Sequence, residues 1–263
     1  TPYVFLMDDD VHVEPDTIPL LRQMIAADPA IAITCPVLLN EDPPGTVLYA
    51  KTDLHFMCEV VNLVQGLPVE QCPKEPQEIG IAPGGALLVS REVALRVGLF
   101  DENYFIGKAD TDFSQVIRIA GYKIVLVPSS RVVHLSRQRG DRRFYYHIRN
   151  RWYFMLKNYQ LRTLLLLSPA LILHEWLQIA FLLFEGHGVT YLKAVVGLLH
   201  LFPQAMQQRV RVARLRVRPD RELLVSGPIL VRQDLLRNPL IRRIKGMYDA
   251  GLQAYWSLVC RLG

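Results

Sequence analysis

The chain has 263 residues, 51% hydrophobic and 21% charged, with a formal net charge of +5. That size allows one large domain, or one domain with an appendage. Its four cysteines (Cys35, Cys58, Cys72 and Cys260) are widely spaced with no CxxC pair, which argues against a zinc site or a disulfide framework and suits a reducing cytosol. The charge is divided unevenly. Residues 1–133 carry 9 basic against 18 acidic residues, a net of −9, and residues 134–263 carry 21 against 7, a net of +14. Two parts with different partners are expected: an acidic part suited to a metal, and a basic part suited to an anionic surface. Composition alone does not choose between nucleic acid and anionic lipid.

The chain opens on Thr1-Pro2 and enters a strand directly, so a fragment lacking its N-terminal portion is expected. Tyr3-Val4-Phe5-Leu6-Met7 reads as a buried strand. It delivers Asp8, Asp9 and Asp10 to the strand's C-terminal edge, where open α/β sheets bind ligands. Three adjacent carboxylates repel one another unless they are solvated or share a cation, and hard oxygen ligands suit Mg²⁺ or Mn²⁺ bridging to a phosphate. Glu14-Pro15-Asp16 offers an N-cap for a helix that ends near Asp28-Pro29. Ile31 to Leu39 reads as the next strand and Asn40 to Gly45 as a loop. Thr46 to Gln77 is ambiguous, with an apolar helix expected around Phe56–Val64. Ala86 to Val89 is a strand; Ser90 caps a helix Arg91–Val97 that stops at Gly98. Asp110 to Ala120 has helical spacing and ends at Gly121. Lys123 to Val127 is a strand closed by Pro128, and Val132-Val133 leads to His134. This alternation predicts an α/β sheet.

The character changes after His134. Arg142 to Tyr159 is a basic, aromatic helix candidate, followed by two apolar stretches, Leu161–Phe184 and Val189–Met206. Pro169, His174, Glu175 and Gln178 interrupt the first, leaving no run of the roughly 18–20 apolar residues a spanning helix needs. Helices lying in the interface, or packed on it as a hairpin, are expected; an ordinary helical subdomain with a solvated basic face and a transmembrane pair are the other readings. Arg209, Arg211, Arg214, Arg216 and Arg218, then Arg232, Arg237, Arg242, Arg243 and Lys245, form basic clusters that read as contacts to anionic headgroups.

Three further segments give the acid triplet its context: Gly84-Gly85-Ala86-Leu87-Leu88-Val89 with Phe100-Asp101-Glu102; Ala109-Asp110-Thr111-Asp112-Phe113 with Ala120-Gly121-Tyr122; and Val127-Pro128 leading to Val132-Val133-His134. In that order they resemble the catalytic half of family-2 glycosyltransferases, the inverting enzymes of GT-A fold. Tyr145-Tyr146-His147-Ile148-Arg149-Asn150-Arg151 is similar to that family's YYxxRNR segment. The resemblance covers about residues 1–160. It implies a GT-A mixed sheet over 1–140, without its N-terminal nucleotide-binding part, and apolar and basic helices over 141–263 that lie on the membrane.

What the resemblance implies is specific by residue. Asp8 and Asp10 match the DXD positions that hold Mg²⁺ or Mn²⁺ on a sugar-nucleotide diphosphate, and His134 is a further metal or diphosphate contact. Asp9 faces the ribose or the sugar. Gly84 and Gly85 let backbone approach the donor or acceptor sugar closely; a plain tight turn is the other reading. Asp110 is the general base, and Asp112 caps the helix or orients the acceptor. Ala109 stands where the family has Glu, which removes whatever acceptor contact that Glu makes. The expected partners are a nucleotide-sugar donor, a glycan or lipid-linked acceptor and an anionic membrane surface, with no nucleic acid. The expected place is the cytoplasmic face of the cell membrane, peripheral or monotopic.

Rival chemistries are separable. A calcium loop starting at Asp8 fails, because Val13 and Pro19 stand where its Gly and bidentate Glu belong. A phosphatase using Asp8 and Asp10 has His12 where Thr or Val is expected. A nucleotidyltransferase would release pyrophosphate. A membrane-bound scaffold with a degenerate site would bind no ligand through a metal.

Overall fold

The computed structural model describes residues 1–135, 143–229 and 238–262. In chain order the elements are β1 (Tyr3–Met7), β2 (Val11–Val13), α1 (Thr17–Ala27), β3 (Ile31–Asn40), β4 (Val47–Tyr49), β5 (Thr52–Leu54), β6 (Val60–Asn62), a 3₁₀ turn at Val69–Gln71, β7 (Gln77–Glu78), β8 (Ala86–Ser90), α2 (Arg91–Val97), α3 (Ala109–Ile119) and β9 (Lys123–His134). Helices α4 (Arg143–Asn158), α5 (Leu161–Phe184), α6 (Gly188–Leu215), α7 (Asp220–Leu223) and α8 (Pro239–Leu262) follow.

The strands form a mixed sheet in the order β1-β8-β3-β9-β2, with β4 beside β3 and β7 beside β9. Only the long central pair, β3 with β9, runs parallel; the remaining ladders are antiparallel. Strand β3 is buried from Ile31 to Leu39, because helices cover both faces and leave no solvent side for a polar alternation. On one face α1 sets Leu21 and Ile25 against Leu88, Val125 and Val127. On the other, α2 and α3 pack Val93, Val97, Phe113 and Ile117 over the sheet, joined by Val212 of α6 and Leu223 of α7. A second core gathers α4, α5 and α8 around the β5–β6 hairpin, where Phe56 stacks on Trp256 with centroids 4.9 Å apart.

The mixed α/β class is the one the sequence predicts, and several elements differ from expectation. Strand β1 is a half-buried edge rather than a buried strand. The apolar run Phe56–Val64 is no helix: β5 and β6 pair as a hairpin, Leu54 opposite Val60, and Cys58 takes φ 63 in the turn between them. Phe56, Met57 and Cys58 are apolar because they are buried against the C-terminal helices, so burial of a turn mimics a helical stretch. Strand β9 does not stop at Pro128. Its register against β3 jumps from Pro36↔Val127 to Val37↔Arg131, so Pro128, Ser129 and Ser130 bulge out and pairing resumes, a position where a missing N–H costs no ladder bond. Asp16 sits at the N-cap of α1 without a side-chain capping bond.

Pro169 likewise fails to interrupt its segment, since α5 is one helix of 24 residues. At 1.5 Å per residue that is about 36 Å, more than the roughly 30 Å hydrocarbon layer. Among the described residues it is the one helix long and apolar enough to cross a membrane, by length and composition. Helix α6 extends past Met206 to Leu215, so Arg209, Arg211 and Arg214 are part of the same helix as the apolar stretch Val189–Met206. Arg142, Arg232 and Arg237 lie outside the described residues.

Candidate active site

The acid triplet is the crossing between the two ends of the strand order. Strand β1 runs antiparallel to β8, and the ladder continues one residue further, the Asp8 N–H donating to the Gly85 carbonyl at 3.0 Å. Three residues later the chain is in β2 beside β9, with Val11 opposite His134 and the Leu135 N–H donating to the Asp10 carbonyl at 2.8 Å. A chain covers only about 3.5 Å per residue, so the sheet must be pinched at this end. It is: a Cβ on Gly85 would lie 2.6 Å from Leu38 Cδ2 and 3.4 Å from His134 Cδ2. Gly85 is therefore required for closeness rather than for its dihedrals. A side chain there would push on the ring that faces the acids.

The pinch gathers the ligand set. Carboxylate oxygens of Asp8 and Asp10 and a ring nitrogen of His134 all lie within 4.8 Å of one another. Asp8 is exposed, while Asp10 and His134 are each 9% exposed. Asp10 Oδ1 stands 3.5 Å from His134 Nε2, and the buried Nδ1 of His134 has no hydrogen-bond partner among the described residues. Two hard oxygens with one imidazole and no thiolate fit a Mn²⁺ or Mg²⁺ held at an open coordination site. Asp9, between them, is exposed.

Asp110 joins this corner through the neighbouring glycine. Its Oδ2 accepts from the Gly84 N–H at 3.1 Å and its Oδ1 from the Thr111 N–H at 2.8 Å. A Cβ on Gly84 would stand 3.3 Å from Asp110 Cβ. Successive residues Gly84 and Gly85 thus hold Asp110 and Asp8. Asp110 is the second residue of α3, where helix-end N–H groups and the dipole favour a carboxylate. Lys108 precedes the helix at φ 69, a strained conformation for a side-chain-bearing residue. Its ammonium is tied to the Cys58 carbonyl. Burial works against that charge, yet Cys58, Glu59 and Asp110 outweigh it and hold the Lys108 pKa above its ordinary value.

Asp112 is not part of the cluster. Its carboxylate is buried against α4, accepting from Lys157 at 2.6 Å, Asn158 at 2.7 Å and the Tyr104 hydroxyl at 3.2 Å. Burial raises its pKa, and Lys157 and Asn158 only partly offset that. Asp101 shares Lys157 at 2.8 Å and accepts from Tyr153 at 2.9 Å. For Asp101 the same burial is outweighed by Lys157 and Asn103, and its carboxyl falls below the usual range.

A model for glycosyl transferase family group 2 matches residues 3–206. The chain belongs to that family. Membership and the mixed α/β sheet together answer the GT-A expectation. Over 62 residues, 23% of the chain, it is 42% identical to N-acetylglucosaminyl-diphospho-decaprenol L-rhamnosyltransferase of Mycobacterium tuberculosis, in sequences from two strains. The match spans 20% of those relatives' length. Among solved structures, GalNAc-T7 with UDP, GalNAc and Mn²⁺ is 22% identical with a TM-score of 0.46, over 59% of this chain and 31% of that one. The mannosyltransferase PcManGT of Pyrobaculum calidifontis, in complex with GDP-Man and Mn²⁺, is 14% identical with a TM-score of 0.37, over 99% and 61%.

Some of the residues around the site escape sequence reasoning. Glu59 lies 3.4 Å from His147, and Arg151, fully buried, pairs with Glu175 of α5. The motifs that contain Asp101, His147 and Arg151 are visible in the chain as family patterns. Their partners are not, since Lys157 is 56 residues from Asp101 and no local spacing encodes such a pair.

Proposed function

We propose that the full protein transfers a sugar from a nucleotide-sugar donor, with inversion, to a lipid-linked or cell-envelope glycan acceptor, in a metal-dependent reaction. The observation that carries this reading is the single corner formed by Asp8, Asp10, His134 and the Gly84-bound Asp110. Asp8, Asp10 and His134 are the residues that hold the cation, and bound Mn²⁺ or Mg²⁺ supplies Lewis-acid neutralisation of charge on the leaving diphosphate. Asp9 reaches toward the ribose or sugar, and the missing Cβ atoms of Gly84 and Gly85 leave room for the donor. Asp110 accepts the acceptor hydroxyl's proton as that oxygen bonds to the anomeric carbon and the bond to the diphosphate breaks. Its Oδ1 accepts from both the N–H and the hydroxyl of Thr111, while Oδ2 accepts from the Gly84 N–H and has a second lone pair for that proton. Asp112 serves the acceptor side indirectly, fixing α4 through Lys157 and Asn158.

The catalytic half occupies 1–140 and the membrane-facing helices 141–263, placed at the cytoplasmic face of the cell membrane as a peripheral or monotopic protein. The exposed apolar residues of α5 and α6 support that placement, and the rhamnosyltransferase relatives, whose name carries a diphospho-decaprenol substrate, support a lipid-linked acceptor. The deciding experiment is a panel of nucleotide sugars with full-length protein in Mn²⁺ or Mg²⁺, reading nucleoside diphosphate release. Release is expected with a metal, and is expected to vanish in chelator and in Asp10→Ala; turnover that survives both overturns the proposal.

A further inference from the structure

Between α4 and α6 runs a groove of about 700 Å³, within the range of small-molecule sites. Val189, Leu192, Val196 and Leu201 form apolar walls, Arg149 and Lys193 supply charge, and no carboxylate lines it. Leu192 is 64% and Val196 52% exposed, so these walls are uncovered hydrocarbon on a helix that also carries cations. Such a trough is complementary to an anion bearing a hydrocarbon chain.

Arg149 is fixed in advance. Its Nε donates to Asn150 Oδ1 at 2.9 Å and its Nη2 to the Asn103 carbonyl at 2.8 Å. Its guanidinium lies 5.6 and 5.0 Å from the ring centroids of Tyr145 and Tyr146. A cation held this way loses little entropy when an anion arrives. The same helical turn is bolted to the loop that leads to Asp110: Asn150 Nδ2 donates to the carbonyls of Ile106 and Gly107 at 2.9 and 3.0 Å. An aromatic surface bridges the two places. Tyr145 meets Tyr146 at 4.9 Å, and Tyr146 meets Phe105, 72% exposed, at 5.5 Å.

We propose that this groove binds the lipid diphosphate of the acceptor, its diphosphate at Arg149 and Lys193 and its hydrocarbon chain along Leu192, Val196 and Leu201. The sugar end then passes over Tyr146 and Phe105 toward Asp110. The inference rests on the sugar-transfer reading and names the acceptor class for that same site. Two cations suit a diphosphate. The apolar walls require a chain, which inorganic pyrophosphate lacks, and the path to Asp110 requires a sugar on the far side of the phosphates, which a glycerophospholipid lacks.

The test is equilibrium binding of farnesyl diphosphate to the full-length protein in detergent, with farnesol, inorganic pyrophosphate and phosphatidylglycerol vesicles as the other arms. Farnesyl diphosphate is expected to bind at least tenfold more tightly than farnesol or pyrophosphate. Lys193→Glu and Leu192→Glu, both at exposed positions, are each expected to weaken it tenfold or more with the melting temperature kept, while Arg91→Glu on α2 leaves it unchanged. Affinity unmoved by both groove variants overturns the proposal, as does Lys193-dependent displacement by phosphatidylglycerol vesicles, which would make the groove a headgroup site. Binding of Mn²⁺ with nucleoside diphosphate is measured on the same samples. Its absence beside intact groove binding sinks sugar transfer and leaves the lipid diphosphate site standing.

Discussion

Asp110 and Asp112 are two residues apart on one helix and do different work, because at 3.6 residues per turn they point to opposite sides of α3. Asp110 looks to Gly84 at the sheet's pinched end; Asp112 is sealed against α4 by Lys157 and Asn158. An amide at Asp110 keeps the size, loses the basicity and gives up one of the two backbone N–H bonds, since its nitrogen cannot accept. Asp110→Asn is therefore expected to bind nucleotide and metal as before while transfer falls by about 10²- to 10⁴-fold, read by donor titration beside single-turnover kinetics. Loss of donor binding instead would make Asp110 a structural anchor of Gly84. Glu59 offers a pH test. Burial opposes its charge, but Lys108, His147 and Arg151 together overcome that and hold its carboxyl well below 4.5. A carboxylate with a depressed folded pKa stabilises above the unfolded value and loses that contribution as pH falls toward the folded one. The melting-temperature gap between the protein and Glu59→Gln is thus expected to be widest above about pH 4.5 and to close in acid. A gap independent of pH would assign the cost to packing alone.

At the scale of elements, the joint between α3 and α4 is a buried three-charge cluster. Lys157 is shared by Asp101 and Asp112, with the three side chains 2–5% exposed. Removing the one cation leaves two carboxylates buried without a counter-ion, which typically costs about 3–5 kcal/mol. Lys157→Met is expected to destabilise by that amount in chemical denaturation. Adding Asp101→Asn and Asp112→Asn is expected to recover part of it, since the uncompensated charges then disappear. Absence of recovery would mean that shape rather than charge balance holds the joint. The β5–β6 hairpin belongs to the same level of organisation: its apolar turn is sequestered by α4, α5 and α8, so its local sequence reads as helix while its partners make it a corner.

For the whole molecule, the division of charge has a structural counterpart. The acidic half contributes the sheet and the carboxylate corner; the basic half contributes helices whose outer residues, among them Trp176, Leu177, Leu183 and Phe184, are exposed. Large apolar side chains left on a surface suit a membrane, each inserted side chain contributing about 1.5–3 kcal/mol at most. Trp176→Glu combined with Phe184→Glu is expected to cut partition into phosphatidylglycerol vesicles at least tenfold, and high salt to weaken what remains. Partition that ignores both changes would place the membrane contact elsewhere.

Strands β1, β3 and β8, the start of β9 and the helices α2, α3 and α4 were legible in the chain, because periodicity, caps and short motifs are local properties fixed by backbone geometry and residue chemistry; the short strands β2, β4 and β7 were not. Strand β9 continuing past Pro128, α5 continuing through Pro169 and the hairpin at Cys58 were not, because each depends on pairing or burial supplied by residues far away. The sequence by itself determined which groups are available: three consecutive acids, two glycines, a late histidine and an arginine-rich end. Only the tertiary structure decided which of them meet. A crossing of three residues closes over a sheet whose narrow end needs a glycine, and that closure, not any property of the acids, brings Asp8, Asp10 and His134 within 4.8 Å, while the packing of α3 on α4 turns Asp112 away.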